Sequence, residues 1–270
     1  MMDRTWTLAM ANEQVLTRSM EGPVAHVRLS RPDVRNAFNA GLITALTAAF
    51  EEIGKDDAVR AVVLSGEGKV FCGGADISWM RSSLDLSYEE NVEDAKRMSD
   101  MFRAIDRCPK PVIARIHGAA LGGGAGLAAV CDIAVAGAET VFGFTEVKLG
   151  IIPAVISPFV LAKIGVSHAR ALFLTGERFD AKRAHHIGLV HEVVVGDTLD
   201  VCIERIVNEI LSAGPQAVAA AKALVPRVQA SGYDDSRGLT AEAIAERRAS
   251  AEGQEGLRAF LERRKAGWIA

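Results

Sequence analysis

Strand-like runs of apolar, mostly β-branched residues alternate with amphipathic helical segments over the first two-thirds of this 270-residue chain. Residues 24–29 and 62–64 have the pattern of strands, and residues 40–53 between them carry apolar side chains at helical spacing. A second helical pattern over 88–105 leads into a strand-like segment at 111–116. This alternation predicts an α/β fold.

The last third of the chain is predicted to be mostly helical, because strand patterns fade after Ser157. No repeat or flexible linker interrupts the sequence, so we expect the two parts to pack continuously. We divide the chain into a core of residues 1–200 and a helical C-terminal region of residues 201–270. The predicted helices of this third cover residues 158–164, 168–174, 181–187, 198–212, 215–230 and 238–265.

Composition excludes several classes of function. The formal net charge is −3, and basic residues are interleaved with acidic ones, which argues against nucleic acid as the main ligand. The four cysteines have no spacing suited to zinc and form no disulfide framework, so we expect no metal and a reducing, cytoplasmic compartment. Charged residues within positions 1–20 argue against a signal peptide or a membrane span.

Two glycine-rich turns, residues 71–76 and 120–126, are the strongest functional signal. Glycine permits positive φ and a close approach of ligand to backbone, so two such turns can direct N–H groups at one developing negative charge. The second turn leads into a predicted helix, whose N-terminus favours an anion. Neither turn fits the Walker or dinucleotide pattern. Taken alone, a glycine triplet is equally compatible with a tight turn and close helix packing.

Glu146 is the candidate acid or base. It lies among apolar and glycine residues, and burial there would raise its pKa toward the range useful for proton transfer. An ion pair with Lys148 or a capping role is the alternative. Cys72 and Cys131 have apolar surroundings, which predict inert buried thiols rather than nucleophiles.

In their order along the chain, these segments resemble the enoyl-CoA hydratase/isomerase (crotonase) superfamily. The resemblance rests on Leu29-Ser30-Arg31-Pro32 with Asn36-Ala37, on both glycine turns, on Cys131-Asp132-Ile133, and on the segment from Phe142 to Pro153. It implies a spiral core of ββα units, a helical trimerisation region, and a trimer or a dimer of trimers. The implied ligand is an acyl-CoA thioester, with coenzyme A entering as part of the substrate and no other cofactor.

The resemblance also implies roles for individual residues. The N–H groups of Ala75 and Gly123 would bind the thioester oxygen, and Glu146 would handle the proton, with the Ala154 N–H as a second anchor for water. The remaining implied substrate or CoA contacts are Arg35, Ala37, Gly73, Gly74, Asp76, Ile77, Gly122, Gly126, Thr145, Phe260 and Arg263, the last often from a neighbouring subunit.

Gly126 is a departure from the family pattern, since well-studied hydratases carry a first glutamate at this position and a second one that matches Glu146. A glycine inside a helix costs about 0.5–1 kcal/mol relative to alanine, which suggests that space is needed there. The sequence around this position, together with residues 154–159 and 250–256, resembles that of bacterial methylglutaconyl-CoA hydratases and of related hydratases of terpene breakdown. The expected substrate is therefore a branched enoyl-CoA whose own γ-carboxylate would occupy the space.

Two alternatives stay open at this point. A double-bond isomerase needs only one carboxylate on the same oxyanion scaffold. A non-catalytic acyl-CoA-binding or RNA-binding homologue is the alternative from another class, and the absence of a basic excess argues against RNA.

Overall fold

A computed structural model describes residues 15–269 and contains two sheets in that range. The six-stranded sheet has the order β1-β2-β3-β4-β6-β9, and the three-stranded sheet has the order β5-β7-β8. In the larger sheet every neighbouring pair is parallel except the β1–β2 hairpin. The strands are β1 Leu16–Glu21, β2 Val24–Leu29, β3 Ala61–Gly66, β4 Val112–Ile116, β5 Ala119–Leu121, β6 Ile133–Gly137, β7 Val141–Gly143, β8 Arg178–Asp180 and β9 Glu192–Val194.

The α-helices connect these strands and then form the C-terminal part of the described chain. They are α1 Ala40–Lys55, α2 Ile77–Ser82, α3 Tyr88–Asp106, α4 Gly123–Val130, α5 Ser157–Thr175, α6 Ala181–His186, α7 Leu199–Ser212, α8 Pro215–Ala230, α9 Tyr233–Ala249 and α10 Ala251–Leu261. The α/β fold predicted from the alternating pattern is confirmed.

The larger sheet is buried on both faces at β3, because all six residues of this strand are buried and successive side chains of a strand point to opposite sides. On β3, Val62 and Leu64 join the main core together with α1, α3 and α4, whereas Val63 belongs to a second cluster under α7. This burial explains why residues 62–64 read as a continuous apolar run. Helix α4 is buried along its whole length, so the second glycine turn leads directly into the core.

Several predicted boundaries differ from the structure. The single helix predicted over 238–265 is wrong: the chain leaves helical geometry at Ser250, which caps α10 by accepting a hydrogen bond from the Gly253 N–H at 3.0 Å. The two helices predicted within 158–174 run into one another across a kink at Gly165. Helix α7 packs on β3, β4 and β6.

Within residues 15–269, no helix is both long and apolar enough to cross a membrane. The four cysteines are all buried and none forms a disulfide.

Candidate active site

The pairing of the first glycine turn with β5 brings the two glycine turns together. Cys72 forms an isolated parallel bridge with Ala120. Its N–H donates to the Ala119 carbonyl at 3.1 Å, and its carbonyl accepts from the Leu121 N–H at 3.0 Å. Gly74 has a φ of +101°, which residues with a side chain rarely adopt, and a Cβ atom there would lie 3.1 Å from the Leu121 oxygen, so both features favour glycine. Backbone hydrogen bonds therefore hold the first glycine turn in register with β5, which leads into the second turn.

The peptide that precedes Ala75 is oriented by Phe38. The Phe38 N–H donates to the Gly74 carbonyl at 2.7 Å, and the Asp76 N–H donates to the Phe38 carbonyl at 2.9 Å. In a trans peptide the C=O and the following N–H point in opposite directions, so the Ala75 N–H points away from Phe38. Within residues 15–269 this N–H has no protein acceptor. It is free to donate to a ligand.

The second free donor is at the N-terminus of α4. The Gly122 N–H is taken by the Gly143 carbonyl at 2.8 Å, and the first hydrogen bond of the helix runs from the Gly126 N–H to the Gly122 carbonyl at 3.1 Å. The Gly123 N–H is therefore one of the donors that a helix leaves without an internal partner, and it donates to no other acceptor in the described chain. The positive end of the helix dipole adds to its attraction for an anion.

Glu146 lies beside this helix N-terminus. Strand β7 runs parallel to β5 with Gly143 opposite Leu121, and this register carries the chain on to Glu146. A Cβ atom on Gly122 would be 3.2 Å from Glu146 Oε1, and Oε2 is buried with no hydrogen-bond partner in the part of the chain that is described. Loss of water around the carboxyl group raises its pKa. The ion pair with Lys148, considered as an alternative, is not among the salt bridges of residues 15–269.

Arg31 and Asn36 support the first turn, a role that could not be predicted from their residue types. The Arg31 guanidinium pairs with Asp76 Oδ2 at 2.8 Å and also donates to the Ala37 carbonyl. The Asn36 amide is buried and donates to the Glu67 and Val70 carbonyls at 2.8 and 2.9 Å. In the sequence, only the Arg-Pro turn and the asparagine that follows it indicate these contacts.

Asp76 connects Arg31 to the candidate active site. Its carboxylate caps α2 by accepting from the Ser78 N–H at 2.7 Å, while it pairs with Arg31. Burial acts to raise the pKa of this carboxyl group, but the hydrogen bonds from Arg31 and from the Ser78 backbone outweigh it, and the net effect is a lowered pKa. Asp76 is therefore ionised and positions the adjoining Ala75 rather than exchanging protons.

Most of the predicted site residues lie together. Arg35 has a positive φ of 58°, and its carbonyl accepts from the Gly73 N–H at 2.8 Å. Ala37 follows in the same turn, Ile77 begins α2, and Thr145 precedes Glu146. Phe260 and Arg263 lie in the exposed part at the end of α10, which packs on α8 and α9. Their contact with CoA bound to a neighbouring subunit stays a prediction.

The space predicted at Gly126 is not present. A Cβ atom on this residue would lie 2.3 Å from Ile156 Cγ2 and 3.1 Å from Phe102 Cζ, so both neighbours pack directly against the helix backbone. The glycine is needed because Ile156 occupies the space, and a substrate carboxylate has no room there. The inference of an open subsite at Gly126 is wrong.

The predicted water anchor at Ala154 is also unavailable, because its N–H donates to the Ile152 carbonyl at 2.8 Å.

The cysteines near the site are unsuited to nucleophilic catalysis. Burial raises the pKa of both the Cys72 and the Cys131 thiols to about 12. The Cys72 Sγ donates to the Asn36 carbonyl at 3.2 Å and so has a structural partner. Residues 15–269 hold no cluster of three or more His, Cys, Asp or Glu side chains arranged to bind a metal ion. Glu146, whose carboxyl group is desolvated, is thus the ionisable group of the site that is suited to proton transfer.

Two free N–H groups beside a carboxyl group whose Oε2 is buried without a partner define a site for proton chemistry next to a developing oxyanion. Comparison with known proteins identifies the family that uses it. The family model described as enoyl-CoA hydratase/isomerase matches residues 19–270, and the chain belongs to this family. The fold is that of the crotonase superfamily, and the protein is an enzyme.

Individual relatives match the chain over nearly its full length. It is 35% identical over 263 residues to a crotonyl-CoA hydratase of Syntrophomonas wolfei, covering 97% of this chain and 100% of that protein. It is 35% identical over 251 residues to a short-chain-enoyl-CoA hydratase of Clostridium acetobutylicum, covering 91% and 94%. The crystal structure of an enoyl-CoA hydratase from Shewanella pealeana superposes with a TM-score of 0.91 at 37% identity, covering 94% of this chain and 96% of that one.

Proposed function

We propose that the protein adds water reversibly across the α,β double bond of an acyl-CoA thioester. The thioester oxygen would accept hydrogen bonds from the Ala75 and Gly123 N–H groups. As water attacks Cβ, electron density moves onto that oxygen and an enolate forms, which these donors stabilise. Each donor of this kind can contribute about 3–4 kcal/mol to the transition state.

Glu146 takes the proton from the attacking water. Burial raises the pKa of this carboxyl group, which makes its carboxylate a stronger base than that of a free glutamate. The enolate then collapses and Cα gains a proton, so the product carries OH at Cβ and H at Cα. Protonated Glu146 is the proposed donor, which lets one carboxyl group complete both transfers and return to its starting state.

The observation that carries this proposal is the unpartnered Glu146 Oε2 beside the free donors of α4. Replacement of Glu146 by glutamine keeps the size of the side chain and removes the base. We expect Glu146→Gln to lower kcat for hydration of crotonyl-CoA at least about 10²-fold, followed as loss of the enoyl-thioester absorbance. Binding of CoA, measured by calorimetry, should persist. Glu139→Gln, at an exposed position, is the matched control.

Double-bond isomerisation is the second candidate function, and one observation favours it. The site offers a single carboxyl group, with the Gly126 face closed and the Ala154 N–H already engaged. Moving a proton between Cα and Cγ needs one base and no bound water. A β,γ-unsaturated thioester such as 3-butenoyl-CoA separates the reactions: an isomerase converts it rapidly to the conjugated thioester, whereas a hydratase leaves it unchanged.

For the acyl group we propose a short, uncharged enoyl chain. The names of the two relatives, crotonyl-CoA hydratase and short-chain-enoyl-CoA hydratase, support this class. The sequence resemblance instead favours a branched, γ-carboxylated group such as 3-methylglutaconyl. That candidate depends on open space beside Gly126, and Ile156 and Phe102 fill this space. Both side chains are apolar, so burying an ionised carboxylate against them would be unfavourable. Comparison of kcat/KM for crotonyl-CoA and 3-methylglutaconyl-CoA decides between them.

We also propose that the enzyme works in the cytoplasm as a homotrimer or a dimer of trimers. The four unpaired thiols fit a reducing compartment. Large apolar side chains on α9 and at the end of α10 are exposed in the single chain: Tyr233 by 94%, Phe260 by 81% and Leu261 by 78%. Burial of these side chains against another copy would remove an unfavourable apolar surface.

A further inference from the structure

Helix α4 depends on its neighbours to hold it in place. It has eight residues, three of which are glycine, and isolated helices shorter than about 12–15 residues are marginal in water even without glycine. Its N-terminus carries the free Gly123 N–H. The direction of this donor therefore depends on the contacts that fix the helix, including those at its far end.

The far end of α4 is held by Asp132, two residues beyond the last residue of the helix. Its Oδ2 atom accepts hydrogen bonds from the Val112 N–H at 2.7 Å and from Lys222 Nζ at 2.6 Å. Its backbone carbonyl accepts from Lys163 Nζ at 3.1 Å. Asp132 thus joins the end of α4 to strand β4 and to helices α8 and α5.

The charge of Asp132 needs a partner at this position. The C-terminus of a helix is the negative end of its dipole, so an aspartate there is unfavourable unless a cation neutralises it. The side chains of Lys222 and Asp132 are only 16% and 29% exposed, which limits neutralisation by water. Burial lowers the pKa of the other amine, Lys163, which donates to the carbonyl instead. Lys222 is therefore the cation that pairs with this carboxylate.

Close packing makes α4 move as one unit. A Cβ atom on Gly124 would lie 2.5 Å from the Cys72 carbonyl oxygen, so the helix backbone lies directly against the first glycine turn. All eight residues of the helix are buried, and at 1.5 Å per residue it is about 12 Å long. Because a densely packed helix has little freedom to bend, a change at its C-terminus reaches Gly123 as a shift of the whole element.

We propose that Asp132, paired with Lys222, is a positioning residue for the Gly123 oxyanion donor. The inference rests on the proposed function, in which this N–H stabilises the enolate oxygen. Asp132 would orient this donor as Asp76 orients the other one. Since Lys222 belongs to α8, the pair also connects the C-terminal helices to the active site.

Asp132→Asn and Lys222→Met remove the ion pair from its two sides. We expect each variant to lower kcat for hydration of crotonyl-CoA by about tenfold, with a much smaller change in KM, because a displaced donor acts mainly on the transition state. Lys222→Arg keeps the charge and should retain most of the parent's kcat.

Arg60→Met is the matched control for Lys222→Met. Arg60 also joins the core to the C-terminal part of the chain, through hydrogen bonds to the Ala213 and Trp268 carbonyls. Its side-chain hydrogen bonds in residues 15–269 do not involve α4. We expect this variant to lose thermal stability but to keep the parent's kcat.

Binding of acetoacetyl-CoA separates positioning from general stability. Its enolate carries negative charge on the thioester oxygen, which free CoA lacks, so its affinity reports on the oxyanion donors. We expect Asp132→Asn and Lys222→Met to bind acetoacetyl-CoA about tenfold more weakly than the parent and to bind CoA equally well, measured by calorimetry. Thermal unfolding shows which variants are folded at the assay temperature, and either one alone carries the test.

Unchanged kcat and unchanged affinity for acetoacetyl-CoA in the folded variants would overturn the positioning role of Asp132 while hydration stands. Equal losses in Arg60→Met would overturn it as well, because they would come from general loosening of the C-terminal part. A parent that hydrates no enoyl-CoA would instead overturn the proposed function, and the affinities for acetoacetyl-CoA would still decide whether Asp132 positions the donor.

Discussion

At the scale of single residues, the catalytic role of Glu146 depends on its protonation. The carboxyl group is active as a base only when ionised, and burial raises its pKa. Lowering the pH therefore protonates it earlier than a free glutamate, and activity falls on the acid side at a pH above the ordinary glutamate range. A profile of kcat/KM against pH with crotonyl-CoA checks this. If kcat/KM fell on the acid side only at the pKa of an ordinary glutamate, or did not fall at all, a desolvated Glu146 could not be the base. The control variant Glu139→Gln should show the same acid limb as the parent.

Gly126 provides a second test at this scale. Glycine to alanine inside a helix ordinarily gains about 0.5–1 kcal/mol. Here the new Cβ would meet Ile156 Cγ2 at 2.3 Å, and overpacking of a filled core costs about 1–3 kcal/mol. We expect Gly126→Ala to lower the free energy of unfolding, measured by urea denaturation, and addition of Ile156→Ala to restore part of the loss relative to the two single changes. If Gly126→Ala alone were as stable as the parent, the space beside Gly126 would be open rather than filled by Ile156.

At the scale of elements, the pair of Arg31 and Asp76 fixes the start of α2 and the adjoining Ala75. Asp76→Asn keeps an acceptor for the helix N-terminus but removes the charge from a buried pair. The small displacement of the Ala75 donor should lower kcat by about tenfold or more, with a smaller effect on KM.

The control is Asp180→Asn, since Asp180 caps α6 in the same way but is exposed and away from the site. Equal losses of kcat in both variants would point to general destabilisation rather than to positioning of Ala75.

Elements with a long repeating pattern could be predicted from the sequence, whereas short ones could not. Helices α1 and α3 carry enough turns for their apolar spacing to be clear. Strands β5, β7 and β8 have three residues each, too few to show an alternation. Yet β5 and β7 are the strands that bring the glycine turns and Glu146 together.

The residues of the site could be predicted from the sequence, but the way they pack against their neighbours could not. Glu146 and both glycine turns stand out as residue types in unusual surroundings. The contact between Ile156 and Gly126 joins residues that are distant in sequence, and a glycine alone does not indicate whether the space beside it is open or filled. The absence of a side chain suggested a subsite, and packing reversed that interpretation.

At the scale of the whole molecule, the exposed apolar side chains of the C-terminal helices predict assembly. Phe260→Glu would place a charge in the proposed contact between subunits. We expect a lower molar mass by light scattering and a higher KM for acyl-CoA, because Phe260 and Arg263 would no longer reach a neighbour's site. Val195→Glu, at an exposed apolar position in a turn, should leave the mass unchanged. A monomeric parent would remove the basis for this contact.

In the proposed mechanism, the two free N–H groups and Glu146 catalyse hydration. Its most direct test is the mass of the product formed from crotonyl-CoA in heavy-oxygen water by the parent enzyme and by Glu146→Gln. Under this mechanism the product is a 3-hydroxyacyl-CoA that carries one heavy oxygen at Cβ, formed rapidly by the parent and at least about 10²-fold more slowly by the variant. Rapid labelling by the variant, or a parent that shifts the double bond without incorporating heavy oxygen, would contradict it.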